Sequence, residues 1–229
     1  MSVQEATIST GVDPHSRGVK AYRWIVFLLA AFYSLYMIYI ADFGKPMGPF
    51  RFLTFWALLL SFFCASRLLA FSEKRSERRW DALIAAVAVI NFMVVYLYWS
   101  LYFQDPNSVT RNGDLGVWWQ EYYLHLLGPL LMWIDALFLN RPFRRFLSAA
   151  LALLAIAFTY FAWTEFVVGP LNSTPVGSVT SGLPYPFLNS MEVMERVTFY
   201  GVNSGVSLVI LAAFFALGWI VTKVAGDRP

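Results

Sequence analysis

Cysteine, histidine and charged residues are all scarce in this sequence of 229 residues, and each shortage excludes a class of site. The single cysteine, Cys64, lies inside an apolar run, so neither an intrachain disulfide nor a thiol-rich metal site is expected. Two histidines, His15 and His125, are too few for a histidine-rich metal cluster. Glycine-rich phosphate loops and the GxSxG, HExxH and CxxC motifs are also missing. We therefore expect no metal and no cofactor.

Long apolar runs are what the sequence does contain, since 59% of its residues are hydrophobic and only 14% are charged. Six runs have the length that spans a bilayer, which is roughly 20 residues at about 1.5 Å rise each. A segment in lipid must satisfy its backbone hydrogen bonds internally, and these continuous runs lack the alternation of barrel strands. The sequence therefore predicts an all-α integral membrane protein, a six-transmembrane-helix bundle with spans at 22–41, 49–71, 81–103, 118–139, 143–163 and 199–223.

The basic residues fall mostly in alternate connections, and this asymmetry predicts the orientation of the bundle. The richer side, expected to be cytoplasmic, carries 13 of the 17 Lys and Arg residues: Arg17, Lys20, Arg23, Arg67, Lys74, Arg75, Arg78, Arg79, Arg141, Arg144, Arg145, Lys223 and Arg228. The other side carries Lys45, Arg51, Arg111 and Arg196. The net charge of +3 therefore belongs to loops that meet lipid head groups, and no nucleic-acid partner is expected.

This orientation places both termini in the cytoplasm and divides the chain into three parts. Residues 1–21 are expected to form a cytoplasmic N-terminal tail, 22–223 the membrane domain with a long outer loop at 164–198, and 224–229 a cytoplasmic C-terminal tail. The protein is then a multi-pass protein of the inner or plasma membrane in a bacterium, or of the endoplasmic reticulum or plasma membrane in a eukaryote.

Two polar residues are expected at the same depth in the outer half of the membrane. Spans two and four both begin outside, which puts Thr54 about 9 Å and His125 about 12 Å below those ends at helical rise. A hydroxyl and an imidazole at matched depth form a candidate nucleophile and general base, and Glu121, one turn before His125, is placed to orient the ring. The alternative is structural: a threonine that bonds its own helix backbone and a histidine that bonds a neighbouring helix.

The remaining polar residues of the spans receive structural interpretations. Arg67 and Asp135 both approach the cytoplasmic end of their helices, and we expect an ion pair that braces span two against span four. Asn91 is expected to bond between helices. The aromatic segments YLYWSLYF and WWQEYY are interpreted as belts at the membrane interface.

Several short segments, taken in order, resemble the androgen-induced gene 1 and FAR-17a-like family of small polytopic membrane proteins. They are FRFLTF in span two, HLLGPLLMWIDALF in span four, and YPFL followed by ERVTFYG before span six. The resemblance covers roughly residues 20–222. The pattern of His125, Pro129 and Asp135 is most similar to bacterial members.

What the resemblance implies is a hydrolase of lipid esters. The family includes enzymes that cleave fatty-acid esters of hydroxy fatty acids with an intramembrane threonine and a histidine, which match Thr54 and His125 here. The implied chemistry is acyl transfer through an acyl-threonine, with a membrane lipid or lipid ester as partner.

Two questions stay open at this point. The backbone N–H groups of the helices are expected to be occupied by hydrogen bonds within each helix. The donor that stabilises the oxyanion is therefore sought among the side chains of Tyr123, Asn91 and Tyr200, with Glu121 as a possible supporting residue. The alternative function is a non-catalytic membrane protein that binds a lipid or apolar ligand, or braces a partner, through the same residues.

Overall fold

The computed structural model describes residues 12–110, 113–173 and 182–225 of the chain. Within these residues, six helices are long and apolar enough to cross a membrane, which confirms the predicted all-α bundle. We number them α1 (Arg17–Tyr39), α2 (Leu53–Ser72), α3 (Asp81–Gln104), α4 (Trp118–Asn140), α5 (Phe146–Leu171) and α6 (Val193–Ala225). The orientation across the membrane stays a prediction, because it depends on the distribution of basic residues alone.

Helix α3 forms the centre of the bundle. It packs against α2, α4, α5 and α6, while α1 covers the other side of α2. The residues from Ala85 to Val89 are completely or almost completely buried. Their small and β-branched side chains let neighbouring helices approach closely, which is how helices associate where water supplies no hydrophobic drive.

The first helix begins earlier than predicted. α1 starts at Arg17 rather than at residue 22, because the Ser16 hydroxyl accepts a hydrogen bond from the Val19 N–H at 3.3 Å and caps the first turn. The predicted tails lie in part outside the described residues, which begin at 12 and end at 225.

The long loop on the predicted outer side is shorter than the sequence indicated. α5 continues to Leu171 and α6 begins at Val193, so the connection comprises residues 172–192 rather than 164–198. The extension is possible because Glu165 of α5 and Arg196 of α6 form a bidentate pair, at 2.8 Å and 3.1 Å, that neutralises both charges.

The predicted ion pair between Arg67 and Asp135 is wrong, because Asp135 pairs with Arg23 of α1. The Arg23 guanidinium is bidentate to the carboxylate at 2.8 Å and 2.9 Å, and both side chains are almost fully buried. Its third nitrogen donates to the Ser72 hydroxyl at 2.7 Å and to the Leu68 carbonyl at 3.1 Å. The pair therefore joins α1, α2 and α4.

Arg67 lies near the end of α2, as expected, but its side chain contacts residues of its own helix instead of Asp135. Its Nε donates to the Ser66 hydroxyl at 3.1 Å, and its guanidinium lies 5.5 Å from the centre of the Phe63 ring. Counting residues from the helix ends gives depth along the axis, but it does not give the direction in which a side chain points.

We expect Arg23→Ala to destabilise the protein by about 3–5 kcal/mol, because it leaves the Asp135 carboxylate buried without its partner. The matched control is Arg67→Ala, which removes a partly exposed arginine and should cost about 1 kcal/mol or less. The measurement is the free energy of unfolding of the detergent-solubilised protein in SDS. A larger loss for Arg67→Ala than for Arg23→Ala would contradict the assignment.

Candidate active site

Thr54 and His125 meet at the predicted outer end of the bundle. Thr54 is the second residue of α2, and His125 lies in the first half of α4. The Thr54 Oγ1 is 3.3 Å from the His125 Nε2, Thr54 is half-buried, and His125 is only 5% exposed. Two residues that the sequence placed at similar depth are thus in direct contact, 71 positions apart in the chain.

A π-helical turn in α4, Tyr123–Leu127, carries His125. Pro129 follows this turn, and since proline has no N–H, the carbonyl four residues earlier loses its helical donor. That carbonyl belongs to His125, and it accepts instead from the Trp99 Nε1 of α3 at 2.8 Å. The histidine backbone is therefore fixed by a neighbouring helix.

Gly128 makes the wide turn possible. Its N–H donates to the Tyr123 carbonyl five residues back, which is the π-helical pattern. A Cβ at position 128 would lie 3.0 Å from that carbonyl oxygen, a closer approach than side chains normally tolerate. The Gly-Pro pair thus explains why α4 widens at the position of His125.

Glu121 determines which ring nitrogen of His125 holds the proton. The His125 Nδ1 lies 3.2 Å from the Glu121 carbonyl oxygen and 3.2 Å from its Oε2. Both atoms are acceptors, so the neutral ring is assigned a proton on Nδ1 and a free electron pair on Nε2. The nitrogen that faces the Thr54 hydroxyl is then the basic one.

Tyr98 of α3 contacts both Glu121 and His125. Its hydroxyl donates to the Glu121 Oε2 at 2.9 Å, and its ring stacks on the imidazole with centroids 3.5 Å apart and planes within 7°. The sequence alone indicates only a membrane belt for Tyr98 and Trp99. Pro129 is a sequence signal for the Trp99 contact, because it frees the His125 carbonyl to accept from a neighbouring helix. No such signal exists for Tyr98.

A cavity adjoins Thr54 between α1, α2, α3 and α4. Its volume is about 20 Å³, which is enough for one water molecule. Most of its wall is apolar, and the polar lining comes from Thr54, Ser61, Asn91 and Tyr123.

Asn91 and Tyr123, two of the candidate oxyanion donors, line this cavity, and the amide of Asn91 already has partners. The Asn91 Nδ2 donates to the Ser61 hydroxyl at 2.9 Å and to the Val87 carbonyl at 3.0 Å. Ser61 is seven residues after Thr54, or about 10 Å farther along α2. The Tyr123 ring stacks on Tyr33 with centroids 3.6 Å apart.

Tyr200, the third candidate donor, belongs to a separate cluster. Its hydroxyl donates to the Glu165 Oε1 at 2.8 Å, beside the Arg196 guanidinium. The structure therefore groups Tyr200 with the pair that joins α5 to α6, and not with Thr54 and His125.

The family model that describes a FAR-17a/AIG1-like protein matches residues 21–220. The chain belongs to this family. No curated protein and no solved structure matches it. The match covers nearly the whole helical bundle, and together with the six spans it establishes a multi-pass integral membrane protein. Thr54, His125 and Glu121 all lie inside the matched region.

For this FAR-17a/AIG1-like protein, we expect the neutral ring of His125 to be protonated on Nδ1. The chain has two histidines, so ¹⁵N-histidine labelling gives a simple NMR spectrum, and His15→Ala assigns the remaining signals to His125. At alkaline pH the Nδ1 shift should be that of a protonated nitrogen and the Nε2 shift that of an unprotonated one. Protonation of Nε2 in the neutral ring would contradict the assignment.

Proposed function

We propose that the protein is an intramembrane threonine hydrolase that cleaves lipid esters, with Thr54 as nucleophile and His125 as general base. The observation that carries the proposal is the 3.3 Å approach of the Thr54 Oγ1 to the His125 Nε2. The opposite nitrogen of the ring faces the Glu121 acceptors. A hydroxyl, a base and a carboxylate that orients the base are the arrangement that activates serine in unrelated hydrolases.

The first half of the reaction transfers the acyl group to Thr54. The Oγ1 attacks the ester carbonyl carbon, its proton passes to the His125 Nε2, and the carbonyl electron pair moves onto oxygen. When that pair returns, the bond to the alkoxy oxygen breaks, and the imidazolium gives its proton to the leaving alcohol. Glu121 stabilises the imidazolium because its carboxylate lies 3.2 Å from the other nitrogen, in a poorly solvated site.

The second half releases the acid. Water attacks the acyl-threonine, His125 takes a proton from that water, and the Thr54 oxygen leaves with the proton returned by the imidazolium. A site in the first turns of α2 and α4 suits this step, since it lies near the predicted outer interface where water is available.

The proposed substrate is a lipid ester that enters from the bilayer, of the class of fatty-acid esters of hydroxy fatty acids or a similar two-tailed lipid. The location of Thr54 and His125 on two membrane-spanning helices supports this class, because a substrate that reaches them from the bilayer must itself be largely apolar. Family membership supports the same class, as the sequence resemblance implied.

We expect a fluorophosphonate probe to label the detergent-solubilised protein at Thr54. Thr54→Ala should abolish labelling and hydrolysis, Thr54→Ser should retain both, and His125→Ala should lower the rate by about 10²–10⁴-fold, as for removal of a general base. The readouts are gel fluorescence of the probe and release of fatty acid from a lipid ester.

The matched control is Thr159→Ala on α5. The Thr159 hydroxyl is exposed and bonds the Ala155 carbonyl of its own helix at 2.6 Å, so labelling should persist. Labelling and hydrolysis that survive in Thr54→Ala would refute the catalytic assignment. A wild-type protein that binds lipid but neither reacts nor hydrolyses would favour the non-catalytic alternative.

A further inference from the structure

The backbone that leads into Thr54 is held by side chains from other parts of the chain. The Phe50 carbonyl accepts from the Trp163 Nε1 of α5 at 3.0 Å, and the Arg51 carbonyl accepts from the Tyr160 hydroxyl at 3.0 Å. The Leu53 N–H donates to the hydroxyl of Tyr185, which lies in the 172–192 connection, at 3.1 Å. The YPFL segment, which begins at Tyr185, therefore meets FRFLTF in space, because its tyrosine contacts the residue beside the nucleophile.

The contact with Tyr185 supplies a cap that α2 itself lacks. The N-cap residue is Phe52, whose side chain has no oxygen, whereas helices usually begin with Ser, Thr, Asp or Asn at this position. The Tyr185 hydroxyl provides an acceptor from outside the helix, but for the first N–H, of Leu53, rather than for the second or third N–H that an N-cap side chain would bind. Burial raises the pKa of Tyr185, so the group is a neutral phenol that accepts the N–H bond.

One N–H group in the first turn of α2 is free. The four leading N–H groups of a helix have no partner within a regular helix. Here the Phe52 N–H bonds to the Pro49 carbonyl at 3.1 Å, the Leu53 N–H bonds to Tyr185, and the Phe55 N–H bonds to the Phe52 carbonyl at 3.1 Å. The Thr54 N–H has no acceptor within the described part of the chain.

The free N–H belongs to the same residue as the proposed nucleophile. Attack by the Thr54 Oγ1 creates an oxyanion on the substrate carbonyl, next to that N–H and at the positive end of the α2 dipole. The expectation that helical N–H groups are unavailable holds for the interior of a helix, but not for its first turn. The Thr54 N–H lies at the site already defined by Thr54 and His125. With this donor, no side chain is needed as oxyanion donor.

We infer that Tyr185 is a positioning residue of the proposed hydrolase, which caps the first turn of α2 and so aims the Thr54 N–H as the oxyanion donor. The inference rests on the proposed function. It assigns a role in turnover to the 172–192 connection, which contains Tyr185. Tyr185 acts through the backbone of Leu53 and does not contact the reacting atoms.

Tyr185→Phe tests the positioning role because it removes the hydroxyl and keeps the ring. We expect kcat for a fluorogenic lipid ester to fall about 10- to 100-fold while KM changes little, since a displaced donor weakens the transition state and not substrate binding. The matched control is Tyr96→Phe on α3, a half-exposed tyrosine whose hydroxyl has no hydrogen bond among the described residues, and its kcat should not change. An unchanged kcat in Tyr185→Phe would overturn the inference.

A second pair of variants tests the Thr54 N–H directly, and it does not depend on the stability of Tyr185→Phe. Phe52→Ser and Phe52→Ala remove the same ring, but the serine adds an N-cap oxygen that accepts from the second or third N–H of the helix. If the Thr54 N–H is the oxyanion donor, the serine competes for it, and kcat should be at least about tenfold lower than in Phe52→Ala. The melting temperature of the serine variant should be equal or higher.

The outcomes separate the two proposals. Equal kcat values in Phe52→Ser and Phe52→Ala, with hydrolysis that still requires Thr54, would overturn the donor assignment and leave the hydrolase intact. A wild-type protein without Thr54-dependent hydrolysis would overturn both.

Discussion

A polar group that enters lipid must find its partner inside the protein, and this constraint organises the bundle. From Ala85 to Ile90, α3 is apolar and buried, while two buried or half-buried ion pairs lie toward the helix ends. Arg23 with Asp135 joins α1, α2 and α4 at one end. Glu165 with Arg196 joins α5 to α6, and Glu121 lies between Tyr98 and His125. Each set holds helices in register because breaking it would leave a charge unpaired in lipid.

Wide helical turns are the backbone feature that these sets share. The three π-helical turns among the described residues are Tyr123–Leu127, Asp135–Asn140 and Thr164–Val168, and they contain His125, Asp135 and Glu165 respectively. A π-helical turn redirects side chains and frees carbonyl groups, which is why such turns recur at functional sites. Here the same feature serves two purposes: it braces helices at Asp135 and Glu165, and it brings His125 to Thr54.

The sequence predicts the helices and the depth of a residue along its helix. It does not predict which neighbouring helix a side chain faces. Continuous apolar runs predicted six helices, and counting from their ends placed Thr54 and His125 at one level. The same count paired Asp135 with Arg67, because it cannot tell which face of α2 an arginine occupies. Tyr98 was assigned to a membrane belt, since its bond to Glu121 requires knowing that α3 and α4 are neighbours. Tyr185 is 132 residues from Leu53, and no local pattern predicts their contact.

The central claim is that Thr54 carries the acyl group during turnover, and its most direct test is mass spectrometry of the acid-quenched protein. 4-Nitrophenyl palmitate supplies a reactive acyl donor, and quenching in the first turnover traps the intermediate before water releases the acid. We predict a palmitoyl mass on the peptide that contains Thr54, which decays as free palmitate appears. Hydrolysis with the acyl group on another residue, or with no acylated peptide and full activity in Thr54→Ala, would contradict it.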